Sequence, residues 1–122
     1  MKTAVQYVQV EKPDGVGART FAPKQTIAQI GWNNVLAISG GRVNALYWHR
    51  QLVGVELPVS SGYVVRVYLS DNDLYLVQRV WRTRQREVIK GQEREVYFDQ
   101  VGDVAYRAGM FRSTTFGQHC PV

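Results

Sequence analysis

The sequence is poor in the residues that build metal and catalytic centres. It has one cysteine, Cys120, and two histidines, His49 and His119. A single cysteine excludes an intrachain disulfide and fits a reducing, cytoplasmic compartment. No His-x-x-x-His or Cys-x-x-Cys spacing occurs. The adjacent His119-Cys120 pair seldom bites one ion, and two further ligands are lacking, so a loose tail is the simpler reading. His49, within Tyr47-Trp-His-Arg50, reads as a strand end or loop, because a general base needs a partner and a pocket that the sequence does not supply. No metal or cofactor is implied.

Long apolar runs are also missing. The longest uncharged run, residues 25–41, holds Gln25, Gln29, Asn33, Asn34 and Ser39 and ends in Gly-Gly. It is too polar to span a bilayer. After Met1-Lys2 the chain alternates polar and apolar residues, unlike the apolar stretch of a signal peptide. Nucleotide motifs fail too. Gly15-Val-Gly17 lacks a third glycine and a preceding apolar strand, and Ser39-Gly-Gly-Arg42 lacks the Gly-Lys-Ser/Thr of a phosphate loop. No internal repeat or low-complexity segment is present.

What remains is an ordinary globular composition. The 122 residues suffice for one domain with its own core, and 45% are apolar and 20% charged. Fifteen Lys and Arg against ten Asp and Glu leave a net charge of +5. Eleven of the fifteen are Arg, the better residue for bidentate contacts to phosphate or carboxylate. Such a balance favours acidic partners, either nucleic acid or an acidic protein face.

Local patterns predict the elements. Residues 1–25 read as an arm, irregular over 11–19 with a short imperfect strand over 3–10. Residues 24–31 suit a short helix, with Pro23 at its start, Ile27 and Ile30 on one face and Gly31 as its stop. From Asn34 the period shifts to two. Residues 35–39 are expected as a strand, Gly40-Gly41 as a tight hairpin turn and residues 42–48 as the return strand. Further strands are expected at 52–57, 63–69 and 74–83. On 63–69, Val65, Val67 and Leu69 face opposite Val64, Arg66 and Tyr68. Residues 86–90 continue the pattern after a bend, Gly91 turns the chain, and 95–98 form a last strand. Residues 99–111 predict a helix, with Val101, Val104, Ala105 and Ala108 at helical spacing and Asp99 as N-cap. Gly102 weakens it by about 1 kcal/mol relative to Ala, and Gly109 marks its stop.

The sum is an α+β domain over 26–112: a curved antiparallel sheet of five or six strands, with a helix before and a helix after it. Residues 113–122 are expected as a C-terminal tail.

Charge is concentrated in one place. Residues 79–94 hold six basic and two acidic residues: Arg79, Arg82, Arg84, Arg86, Lys90 and Arg94 against Glu87 and Glu93. If the strand continues, Arg82, Arg84 and Arg86 share a face, with Trp81 and Tyr75 opposite. An Arg-tipped hairpin grips phosphates with salt-dependent affinity, and sheet aromatics stack bases. Protection of a sheet edge accounts for the same charges. Glu93, Glu95, Asp99 and Asp103 form the longest run of close carboxylates. With Arg94 and Lys90 among them, a solvated, charge-balanced edge is the better reading than a magnesium or acid-base site.

Short motifs carry a resemblance. The stretch Ile30-Gly-Trp-Asn-Asn-Val-Leu-Ala-Ile-Ser-Gly-Gly-Arg42, then Leu57-Pro58, Asp73-Leu-Tyr75 and Val96-Tyr-Phe-Asp99, resembles a family of small proteins of unknown activity encoded by bacteriophages, prophages and plasmids. The pattern of that family is similar over residues 26–111: a helix ending in Leu-Gly-Gly-Asn, then Ala-Met-Thr-Gly-Ala-Lys, Leu-Pro, Asp-Leu-Tyr and Val-Tyr-Ala-Asp. Here Trp32 stands in place of a glycine, and an Arg-rich turn follows Trp81. The resemblance implies an accessory protein of a mobile element, in the cytoplasm of a bacterial host, and carries over no site residues.

The leading expectation is a non-enzymatic nucleic-acid-binding protein using the residues 79–94. The alternative is an inhibitor of a host defence or nuclease protein, binding through exposed aromatics such as Trp32, Tyr47 and Trp48. A small-ligand pocket between sheet and helices is a third option.

Overall fold

A computed structural model describes residues 6–17, 21–110, 112, 116 and 117. The chain enters the sheet through a short strand, β1 (Gln6–Gln9), and crosses over through two helices, α1 (Pro23–Ile30) and α2 (Trp32–Ser39). It then runs up and down as β2 (Asn44–Trp48), β3 (Gln51–Pro58), β4 (Tyr63–Leu69), β5 (Tyr75–Arg82) and β6 (Glu87–Val96), and closes with α3 (Val101–Gly109). The six strands lie side by side in chain order in one open sheet. All neighbours from β2 to β6 are antiparallel, while β1 runs parallel to β2. The α+β architecture is therefore as expected, with a parallel pair added, two helices between β1 and β2, and one helix after β6.

Residues 35–39 are helical, not a strand. Val35, Ile38 and Ser39 are the buried residues of α2, at the i, i+3, i+4 spacing of a helix face. The Ser39 hydroxyl reaches two carbonyls, that of Val35 at 3.1 Å inside the helix and that of Arg42 at 2.6 Å beyond it, and donates its single hydrogen between them. Gly40, at φ 67°, takes the left-handed conformation and caps α2, its N–H on the Leu36 carbonyl. The Gly-Gly signal is thus a helix stop rather than a hairpin.

Two other expectations change. Gly91 lies inside β6 instead of turning the chain, so residues 87–96 form one ten-residue strand. The ring of Phe116 covers Gly91 at 3.3 Å from the position a Cβ would take. Helix α3 is capped at Gln100 rather than Asp99. Its Gly102 has a packing reason: a Cβ there would sit 2.4 Å from the Ile30 carbonyl oxygen, so the glycine lets α3 lie directly against the end of α1.

The main core fills the space between sheet and helices. Val55, Leu57, Val65, Val67 and Val77 meet Ile30, Val35, Val101 and Ala105, together with Phe116. Phe116 and Gly117 are the described part of residues 113–122; His119 and Cys120 lie outside the described residues. The opposite face of the sheet carries a smaller cluster of Leu46, Val53, Tyr68 and Leu76, covered by Val16 from the segment after β1. Val16 is pinned by a bridge to Ser70. Among the described residues no helix is long and apolar enough to cross a membrane.

Candidate functional site

One end of the sheet gathers the chemistry. The start of β2, the end of β3, the start of β4, the end of β5 and the start of β6 all meet there, because antiparallel neighbours exchange their ends.

Residues 83–86 make the β5–β6 turn. The Thr83 N–H donates to the Arg86 carbonyl at 2.9 Å, and the Thr83 hydroxyl oxygen accepts from the N–H of Gln85 and Arg86 at 3.3 and 3.2 Å. This side-chain turn holds the loop shut and leaves Arg84 exposed at its tip. The expectation that Arg82, Arg84 and Arg86 share a face does not hold. Register pairs Arg82 with Glu87 and Trp81 with Val88, so Arg82 lies on one face. Arg86 returns on the other, its guanidinium 5.9 Å from the centre of the Trp81 ring.

Arg82 joins a buried ionic network on the face opposite the helices. Glu56 is fully buried. Its Oε2 accepts from Arg66 Nε at 2.8 Å and from Arg82 Nη1 at 3.0 Å. Its Oε1 accepts from the Asn44 amide at 3.1 Å. The other end of Arg66 grips Glu87 with both terminal nitrogens, at 3.0 and 2.8 Å. Two carboxylates and two guanidinium groups cancel in charge. Glu56 and Arg66 are its buried members, and burying a charge costs several kcal/mol per ion before the attraction is counted, so close geometry is what makes the pair tolerable. The Arg66 hydrogen bonds hold the Glu87 carboxyl below its usual pKa. Beside it, burial pushes the Tyr68 hydroxyl up to about 12.

The remaining predicted cations disperse. Arg79 is 6% exposed and points into the fold. Its Nε donates to the Ala108 carbonyl at 2.7 Å and its Nη2 to the Arg107 and Met110 carbonyls at 3.0 and 3.1 Å. It satisfies the carbonyls that a helix C-terminus leaves open, and its guanidinium lies 5.1 Å from the Phe116 ring centre. Arg79 is therefore a structural residue of α3, not part of the basic surface. Lys90 is exposed midway along β6. Arg94 sits further along the same strand and donates to the Asp14 carbonyl at 3.0 Å.

The structure adds one arginine that the sequence reading left out. Arg42, exposed in the α2–β2 loop, lines a cleft of about 260 Å³ together with Arg82, Tyr63 and Pro58. Reading 35–41 as a hairpin hid this approach. The rim at this end is thus Arg42, Arg82, Arg84 and Arg86.

The three aromatic candidates are not one patch. Trp32 is exposed on α2, on the helix side of the sheet. Tyr47 packs edge-on against Tyr7 at 5.2 Å. Trp48 lies on the opposite face, against the Val16 cluster, with Lys12 5.4 Å over its ring. Other exposed apolar residues follow β6: Tyr97, Phe98, Tyr106 and Met110. Glu93 and Glu95 do not share a face. Glu93 pairs with Arg107 at 3.3 Å, and Glu95, at φ 58°, breaks the alternation. His49 lies in the two-residue turn between β2 and β3. No group of three or more potential metal-ligating side chains occurs among the described residues.

Compared with protein-family models, curated proteins and solved structures, the chain matches none.

Proposed function

We propose that this is a binding protein for nucleic-acid phosphates, engaging them through Arg42, Arg84 and Arg86. One observation carries the reading. Four arginines stand at one end of the sheet, where the neighbouring carboxylates, Glu56 and Glu87, are drawn into hydrogen bonds with Arg66 and Arg82. Arg42, Arg84 and Arg86 thus carry their charge to the surface. Trp81, with the Arg86 guanidinium 5.9 Å from its ring centre, adds an aromatic of the kind on which a base stacks. The resemblance to mobile-element proteins supports an accessory role in a bacterial cytoplasm, with no chemistry performed on the bound strand.

Anisotropy titrations of labelled DNA and RNA at several salt concentrations test the reading. Binding is expected at low salt, with a log-log slope that flattens by about one for each of Arg42, Arg84 and Arg86 changed to Ala. Absence of binding at 20 mM salt, or an affinity indifferent to these changes, overturns it.

A second reading has its own observation: Tyr97, Phe98, Tyr106 and Met110 are each more than two-fifths exposed, with Tyr106 on α3 and Met110 at its C-cap. These suit a protein partner, as an inhibitor of a host protein would need. A complex with a host protein that survives nuclease treatment and is lost in Phe98→Ser favours this reading over the first.

A further inference from the structure

The face of the sheet opposite the helices holds a groove of about 370 Å³, in the size range of small-ligand sites. Arg66, Tyr68, Gln78, Ile89 and Gln92 form its floor, and residues 11–14 wall one side. Lys12 and Arg94 at its mouth are matched by Glu11 and Asp14, so no net field selects the ligand. Selection falls to the floor.

There the arrangement is asymmetric. Arg66 is anchored from behind: its Nε is on Glu56, which has no exposure. Its two terminal nitrogens point the other way and hold the Glu87 carboxylate as a fork. Glu87 is the exposed member of that pair, with 42% of its side chain in solvent against 4% for Arg66. It stands at the first position of β6, directly after the 83–86 turn. The guanidinium is therefore held from behind, while its carboxylate partner stands on the solvent side. Beyond the fork the floor offers the half-exposed Ile89 and an amide pair, with Gln78 Nε2 donating to Gln92 Oε1 at 3.1 Å, above the buried Tyr68.

We infer that this groove binds a small organic carboxylate with an amide and an apolar body, and that Glu87 is an internal occupant which the ligand displaces from the Arg66 fork. A carboxylate fits because the fork already holds one with both oxygens engaged, the geometry that guanidinium matches best. Displacement leaves Arg66 oriented by Glu56, so the site is built before the ligand arrives. The affinity of the intact protein is lowered by the fraction of time Glu87 fills the fork. This site is distinct from the arginine rim and does not depend on nucleic-acid binding.

The test uses N-acetyl-L-leucine as probe and N-acetyl-L-leucinamide, which lacks the carboxylate, as its control. Both are titrated by ¹H–¹⁵N NMR into the full chain and into Glu87→Ala and Glu87→Gln. N-acetyl-L-leucine is expected to bind Glu87→Ala at least tenfold more tightly than the unaltered protein, and Glu87→Gln to an intermediate degree. Shifts should centre on Arg66, Tyr68, Gln78 and Ile89. The leucinamide should bind none of the three proteins measurably. Equal affinity for acid and amide, shifts outside the groove, or no gain on removing the Glu87 charge overturns the inference. Should Glu87→Ala not fold, the Glu87→Gln comparison decides alone.

Discussion

Glu56 and Arg66 face each other across β3 and β4 in register and are joined Oε2 to Nε at 2.8 Å, both inside the protein. Arg82, one strand further, reaches the same oxygen. Removing the negative charge leaves two guanidinium groups facing each other across a neutral amide that has one acceptor oxygen instead of two. Glu56→Gln should cost about 3–5 kcal/mol of stability. Urea unfolding checks this, with a lowered midpoint at unchanged slope. Replacement of Glu56, Arg66 and Arg82 together by apolar residues of similar volume should be far milder than the single change.

Glu87 gives the network a pH dependence with a definite sign. Its pKa is lowered in the folded protein by Arg66, so it contributes stability above the unfolded carboxylate value near ~4.3. That contribution fades as the pH falls through the lower folded value. The unaltered protein should lose more of its urea midpoint between pH 6 and pH 3 than Glu87→Gln does. Equal losses would mean the Arg66 bonds do not favour the ionised form.

Arg79 belongs to α3 rather than to the charged rim. Arg79→Met should destabilise the fold by about 2–4 kcal/mol, since charged hydrogen bonds to three carbonyls are lost. Amide exchange should quicken at Ala108 and Met110. Polyanion affinity, measured where the variant remains folded, should be unchanged.

Gly102→Ala sets two effects against each other. Alanine favours the helix by about 1 kcal/mol, but its Cβ would meet the Ile30 carbonyl at 2.4 Å. Overpacking of this kind costs about 1–3 kcal/mol, and the obstacle here is backbone. A net loss in melting temperature is expected, and a gain would show that α1 yields freely.

The strands β3, β4 and β5 are legible in the sequence because aliphatic and aromatic residues dominate them between turn signals, and both faces find cover. Residues 35–39 misled for a definable reason: five mostly apolar residues satisfy both periods, and the exposed Trp32 and Leu36 blur the polar side of α2. Gly91 read as a turn because its cover, Phe116, is remote in sequence. Of the site, Arg84 and Arg86 were visible from their place in a turn. The side to which Arg79 turns is set by where α3 packs, which alternation does not contain. The Glu56–Arg66 pair left a signal of its own: one acid and one base, each alone in the middle of an apolar strand.

From β2 onward each strand pairs with the next one made, so the meander can zip from any hairpin with short loop closures. β1 is the exception, since Gln6 must find Asn44 across both helices. Closing that large loop is the entropically demanding step, and topology of this kind slows a folding reaction. The order of assembly follows: hairpins and helices first, the amino-terminal strand last. In pulse-labelled exchange Tyr7 and Val8 should gain protection after β4 and β5. Until they do, β2 presents a bare edge on which nascent chains can recruit one another.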